Sequence, residues 1–202
     1  MPDVTWPDEF FPMLMSPKFV PLNVKTALDV GCGRGMLGAL LRIYREPERL
    51  VAVDSFEPYL EFVRRMRLYD EVINLDLTKS DLPFEDKSFD LVLSLEVIEH
   101  LQKKDGIRLL SQLERIGKRV IVSTPGHFFD QPKYDGNPHQ SHLSFYSVDE
   151  LEKRGYDIYG VGDFHVFRKR LPSISQNLSK WTLMFPRLSG TILAVRDAGP
   201  KG

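Results

Sequence analysis

The chain has 202 residues, 42% of them hydrophobic, and its 27 Lys and Arg against 28 Asp and Glu leave a formal net charge of −1. That is enough chain for one domain with a three-layer core, and so small a net charge excludes a strong global field, which argues against wholesale attraction to nucleic acid. A single cysteine, Cys32, excludes an intrachain disulfide, and charged residues such as Arg42, Glu96 and Glu99 break every long apolar stretch, which excludes a membrane span.

The first segment, Trp6 to Met15, is aromatic and proline-rich, and reads either as a cover over a site or as packing against the rim of a sheet. An apolar run from Thr26 to Val30 then ends in Gly31, Gly33 and Gly35, and Met36 to Tyr44 follows at helical periodicity. The pattern is strand, tight turn, helix. Glycine allows positive φ and close approach of a ligand to the backbone, and the following helix offers free N–H groups. Asp29 beside the turn would repel a pyrophosphate, and Met36 stands where a dinucleotide fingerprint wants its third glycine. An acid at this place suits a cofactor carrying an ammonium and a sulfonium, which points to S-adenosylmethionine.

With these residues in view, Leu28-Asp29-Val30-Gly31-Cys32-Gly33-Arg34-Gly35 resembles the first motif of the class I S-adenosylmethionine-dependent methyltransferases, of the small-molecule, type 11/12-like kind. Later segments follow in the order that family requires. Leu50 to Asp54 is β-rich and ends in an acid of the sort that binds ribose hydroxyls, with a helix N-cap as the alternative role for Asp54. Ser55 to Pro58 opens a helix that places Tyr59, Phe62, Val63 and Met66 on one face. Val72 to Leu77 reads as a short strand ending in Asp76; the resemblance implies that Asp76 meets the adenine amino group and that Leu77 packs on the ring. Phe84 and Phe89 read as core, and Asp90 as the structural start of a fourth strand.

Leu91 to Leu95 is apolar enough for a parallel strand buried on both faces. The polar cluster after it, Glu96-Val97-Ile98-Glu99-His100-Leu101, falls where ligands bind in such sheets and resembles the family's motif after strand four. His100 either reaches the active site or tethers the next helix. That helix is expected over Ile107–Ile116 and is stopped by Gly117; a fifth strand follows over Arg119–Ser123. The long irregular stretch from His127 to Ser144 is expected to be functional, because it sits past a strand end. His127, His139 and His142 in it do not form a diagnostic metal-ligand spacing, and no metal is expected. Tyr146 reads as a wall of the acceptor pocket or as core. Ser147 and Glu150 form a capping-box pattern for a short helix through Lys153. Strands are expected over Tyr156–Val161 and Gly190–Arg196, with a helix from Ile174 to Phe185 between them.

The alternation of strands and helices predicts an α/β fold. The resemblance specifies it as a three-layer Rossmann-like sandwich on a seven-stranded, mostly parallel sheet whose last strand is antiparallel. One domain is expected over 1–202: an N-terminal cap segment 1–25, a cofactor-binding core 26–160, and a C-terminal helix and strand 161–202. The implied activity is methyl transfer from S-adenosyl-L-methionine to an acceptor, with a small molecule or a glycan or lipid intermediate favoured and nucleic acid disfavoured. A donor-binding but catalytically silent subunit and a nicotinamide-dependent oxidoreductase are the rival readings. Donor contacts are expected from Asp29, Gly31, Cys32, Gly33, Gly35, Asp54, Ser55, Asp76, Leu77, Ser94 and Leu95. His100 and His142 are the candidate bases, because neutral imidazole accepts a proton near pH 7. With one cysteine and no cleavable signal pattern, a reducing cytoplasmic setting is expected.

Overall fold

Alternating apolar residues build a sheet with two buried faces. In the computed structural model, which describes residues 10–131, 133, 136–164 and 179–199, strand β1 is Thr26–Val30, with every residue from Ala27 on buried. The strands β2 (Arg49–Asp54), β3 (Glu71–Asn74), β4 (Phe89–Leu95), β5 (Gly117–Pro125), β6 (Asp157–Phe164) and β7 (Ser189–Asp197) join it in one sheet of order β3-β2-β1-β4-β5-β7-β6. The first five are parallel. β7 lies antiparallel between β5 and β6, with Val122 opposite Ala194.

The period of two sorts the side chains between the faces. Ala27, Leu50, Ala52, Leu91, Leu93, Ile121 and Leu193 point to one side, where helices α1 (Phe10–Leu14), α2 (Met36–Tyr44) and α3 (Glu57–Met66) supply Phe10, Leu14, Leu41, Leu60 and Val63. Leu28, Val30, Val51, Val53, Val92, Val120, Val122 and Ile192 point to the other, against Leu109, Leu110, Leu113 and Ile116 of α4 (Lys103–Ile116) and Leu151 of α5 (Val148–Lys153). This is the expected three-layer sandwich. Each fully buried Leu or Val contributes roughly 1.5–3 kcal/mol.

Local chemistry explains most boundaries. The Ser147 hydroxyl accepts from the Glu150 N–H while the Glu150 carboxylate accepts from the Ser147 N–H, which starts α5. The Asp90 carboxylate accepts from the N–H groups of Lys25 and Thr26 and pairs with Lys118, so it ties the starts of β1 and β4.

Several expectations need correction. α4 begins at Lys103, four residues before the apolar pattern, because its first turn is polar and carries Asp105 where the helix dipole favours an acid. β3 stops at Asn74, so Asp76 lies in the turn beyond the strand. Met66 is exposed, and Leu60 takes its place on the buried face of α3. The segment Phe10 to Met15 packs in the core under the sheet, with Phe10 and Leu14 buried; Trp6 to Glu9 lie outside the described residues. Between β6 and β7, Ser179–Met184 is a 3₁₀ helix, and Ile174 to Leu178 lie outside the described residues. Among the described residues no helix is long and apolar enough to cross a membrane.

Candidate functional site

Because β1, β2, β4 and β5 are parallel, their C-terminal ends meet on one edge of the sheet, and the residues singled out in the sequence gather there. The turn after β1 is pinned first. The N–H groups of Gly31 and Cys32 donate to the Val53 carbonyl at 2.8 and 3.1 Å, and the Gly35 N–H donates to the Cys32 carbonyl. Gly31, Gly33 and Gly35 all have positive φ, of 77°, 52° and 80°. A Cβ on Gly31 would stand 2.3 Å from Val97 Cγ2, so this glycine is needed for packing; a Cβ on Gly33 would meet nothing within 4 Å. Gly33 therefore faces open space.

Asp54 at the tip of β2 accepts from the Gly33 N–H through Oδ2 and from the Phe56 N–H through Oδ1, both at 2.9 Å. It braces the glycine turn against the start of α3, whose N-cap is Phe56 and not Asp54. Ser55 follows it, partly exposed. A cavity of about 330 Å³ lined by Arg34, Phe56, Pro58, Tyr59, Phe62 and Arg65 flanks this tip.

Asp29 is fully buried. Its Oδ2 accepts from the Tyr69 hydroxyl at 2.6 Å, while Oδ1 has no hydrogen-bond partner. Burial outweighs the Tyr69 hydrogen bond and, with the nearby Asp54 charge, pushes its carboxyl up to about 7. An amine can reach Asp29 only through an intermediary or after local movement, since no part of it is exposed. Asp76 accepts from the N–H and hydroxyl of Thr78 and pairs with Lys79 at 2.8 Å, and these partners hold its carboxyl at about 2. Its carboxylate thus shapes the turn after β3, with Leu77 beside it partly buried.

On the other side of the edge stand the ends of β4 and β5. Ser94 is buried with its hydroxyl unpartnered, and Leu95 is partly exposed. Glu96 takes a left-handed backbone, φ 54°, costly for a non-glycine residue and typical of functional turns. Ser123 holds it there: the Glu96 N–H donates to the Ser123 carbonyl, and the Ser123 hydroxyl donates to Glu96 Oε1 at 2.8 Å. Burial pushes the Glu96 carboxyl up to about 7. Glu99, in the 3₁₀ turn Ile98–His100, is 1% exposed; neither carboxylate oxygen has a hydrogen-bond partner, and burial and the Glu96 charge raise its pKa well above the usual carboxylate range.

The turn also anchors the long loop after β5. The Glu99 carbonyl accepts from the N–H groups of Leu143 and Ser144, and this brings His142 to His100 with ring centroids 5.0 Å apart. His100 Nδ1 lies 3.2 Å from the Ser141 carbonyl and His142 Nδ1 lies 3.0 Å from the Phe129 carbonyl. Burial lowers both pKa values, that of His100 to about 4, so both rings are neutral at pH 7. The sequence reading singled out these two histidines, which the structure brings together; it did not single out Glu99, Ser123 or Tyr69.

Of the two roles open to Tyr146, pocket wall or core, the structure supports the second. It is 1% exposed, packed under the first turn of α4, with the Lys103 ammonium 3.8 Å above its ring centroid. It is a core residue.

The residues of the first half of this edge fit S-adenosylmethionine: a backbone turn with open space at Gly33, a carboxylate at the tip of β2, and a buried carboxylate with an orphaned oxygen behind the turn. Residues 28–120 match the model of a family described as a methyltransferase domain. The chain is 30% identical over 154 residues to a probable S-adenosylmethionine-dependent methyltransferase of Mycobacterium tuberculosis, covering 73% of this chain and 55% of that protein. It is 28% identical over 123 residues to a mitochondrial ubiquinone biosynthesis O-methyltransferase of Dictyostelium discoideum, covering 54% of this chain and 38% of that one. The chain thus spans about half or less of the length of these curated relatives. Its fold matches the crystal structure of an S-adenosylmethionine-dependent methyltransferase from Archaeoglobus fulgidus with a TM-score of 0.59 at 17% identity, over 92% of each chain. The glycine turn, the strand order with its reversed β7 and the matched sequence agree: residues 28–120 carry a methyltransferase domain similar to those of the class I S-adenosylmethionine-dependent methyltransferases, a family whose methyl donor is S-adenosylmethionine.

Proposed function

We propose that this chain transfers a methyl group from S-adenosylmethionine to a small molecule, or to a glycan or lipid intermediate, that docks over the C-terminal ends of β4 and β5. The observation that carries this reading is the division of one sheet edge into two halves of different chemistry. The β1–β2 half has a backbone turn with open space and carboxylates. The β4–β5 half has two neutral imidazoles and a raised carboxyl at Glu96. When bound, S-adenosylmethionine supplies an electrophilic methyl on a good leaving group, so the protein's share is placement and exclusion of water.

On the donor side, Gly31 to Gly35 and Asp54 bind and orient, with Ser55, Asp76, Leu77, Ser94 and Leu95 completing the contact surface. His100 and His142 present unprotonated nitrogens to the acceptor, and the hydrogen bonds to Ser141 and Phe129 keep the rings from turning. The acceptor class is supported by the net charge of −1, which gives no strong attraction to nucleic acid, and by the ubiquinone biosynthesis for which the Dictyostelium relative is named.

Calorimetry with S-adenosylhomocysteine and with NAD tests the donor half. We expect saturable binding of the first alone, weakened by Asp54→Ala by about 1.5–3 kcal/mol through loss of a charge-assisted contact. Tight NAD binding without affinity for the S-adenosyl ligand overturns the reading. A turnover screen with isotope-labelled donor against metabolite, lipid, RNA and protein fractions tests the acceptor half. Incorporation confined to RNA or protein overturns the acceptor class, and donor binding with no incorporation anywhere makes the chain a silent subunit.

A further inference from the structure

Glu99, His100 and His142 each offer one donor atom, and these three atoms all lie within 4.8 Å of one another. Glu99 Oε1 and His100 Nε2 are 4.0 Å apart. Two ligands held about 2.1 Å from a shared ion stand about 3 to 4.2 Å from each other, depending on the angle between them. The cluster is therefore within a small side-chain adjustment of a coordination shell.

Three further features point the same way. The Glu99 carboxylate is 1% exposed, and its polar neighbours, the Thr124 hydroxyl and the Glu96 carboxyl, include no Lys or Arg among the described residues. An unpaired buried carboxylate is costly, and a cation is the partner that removes the cost. Both histidines direct Nδ1 at a backbone carbonyl, Ser141 for His100 and Phe129 for His142. That contact places the proton on Nδ1 and leaves Nε2 with its lone pair, as in the orienting contacts of metal-bound histidine. The turn also fixes the loop, since the Glu99 carbonyl accepts from the N–H groups of Leu143 and Ser144 and so holds His142 beside His100, with ring centroids 5.0 Å apart.

We propose that Glu99, His100 and His142 form a divalent-cation site at the C-terminal edge of β4. Imidazole and carboxylate together suit Mn²⁺, Fe²⁺, Co²⁺ or Zn²⁺ better than an all-oxygen ion such as Ca²⁺. Three protein donors leave a four- to six-coordinate ion with positions for other ligands. A hydroxyl bound at one of them gives up its proton to solvent more readily and keeps its electron pair. The site extends the methyltransferase reading to acceptors that present oxygen, with the ion in place of the imidazole nitrogens as the group that eases loss of the acceptor proton, but the binding of the ion does not depend on that reading.

The test is titration of the full chain, stripped with chelator, with Mn²⁺ and with Zn²⁺ by calorimetry, the Mn²⁺ arm checked by the electron paramagnetic resonance of free ion. One ion per chain is expected, accompanied by a rise in melting temperature. Glu99→Gln and His142→Ala should each weaken binding about tenfold or more and abolish the thermal shift, whereas His139→Ala, in the same loop but outside the cluster, should change neither. His142 is on a loop, so His142→Ala decides the matter if Glu99→Gln does not fold. Absence of saturable binding up to millimolar ion, or binding that survives both variants, overturns the site. S-adenosylhomocysteine binding in the same samples separates the two claims: donor binding without ion binding removes only the metal site, and ion binding without donor binding removes only the methyltransferase reading.

Discussion

The hydroxyl of Tyr69 donates to Asp29 Oδ2 at 2.6 Å and accepts from the Gly38 N–H at 3.2 Å. One side chain from the start of the loop into β3 thereby ties the carboxylate behind the glycine turn to the first turns of α2. Tyr69→Phe leaves a buried carboxylate and a buried N–H without this partner. We expect a loss of about 1–3 kcal/mol in denaturant unfolding together with weaker S-adenosylhomocysteine binding, because the turn loses its backing. Unchanged affinity would show that Asp29 and Tyr69 serve the core alone.

Asp29 also sets a pH dependence. Its carboxyl rises from 3.8 to about 7 on folding, under burial first and with Asp54 adding to it, while the adjoining Cys32 and Tyr69 are themselves raised and stay protonated. Between about pH 4 and pH 7 the native state thus holds a proton that the unfolded chain has lost, and stability falls as pH rises through that window. Asp29→Asn cannot titrate. The difference in unfolding free energy between wild type and Asp29→Asn should change in the variant's favour from pH 4 to 7 and level off above; a flat difference contradicts the burial argument. Donor affinity of the wild type should increase as pH rises through about 7, where the carboxylate behind the glycine turn becomes charged.

The glycines of the turn separate a steric role from a folding role. Gly33→Val adds a side chain into open space at φ 52°, at a backbone cost of about 1–2 kcal/mol. A cooperative thermal transition should survive while donor binding is lost. Gly31→Ala combines positive φ with a contact 2.3 Å from Val97 Cγ2, and should cost roughly 2–4 kcal/mol. Wild-type donor affinity in Gly33→Val would mean that the turn is not the cradle.

Gly106 and Tyr146 should be coupled. A Cβ on Gly106 would lie 1.9 Å from the Tyr146 hydroxyl oxygen and 3.0 Å from Cζ, so Gly106→Ala should destabilise by about 1–3 kcal/mol despite alanine's better helix propensity. In a Tyr146→Phe background the loss should be at least halved, giving an interaction energy on the order of 1 kcal/mol in a double-mutant cycle. Both variants should bind donor normally, since Tyr146 is core. A donor defect in Tyr146→Phe would return this residue to the site.

The sequence by itself determined what depends on neighbours along the chain. Continuous apolar runs marked the buried parallel strands, α2 follows its apolar pattern from Met36 to Tyr44, the capping box at Ser147 started α5, and Gly31, Gly33 and Gly35 marked a turn that needs positive φ. These are local effects of backbone sterics and one-sided burial, legible within a few residues. Resemblance, rather than periodicity, supplied the reversed β7 and the donor. The tertiary structure alone decided which distant groups meet. Tyr69 reaches Asp29 and the Gly38 N–H from the loop between α3 and β3, Tyr146 is drawn under α4 instead of into a pocket, and the Glu99 carbonyl's hold on Leu143 and Ser144 carries His142 to His100. Ligand spacing along the chain could not reveal that last cluster, because its members sit on a turn and a loop that only the sheet brings to one edge. Burial, which no residue carries in its own type, then sets their charge.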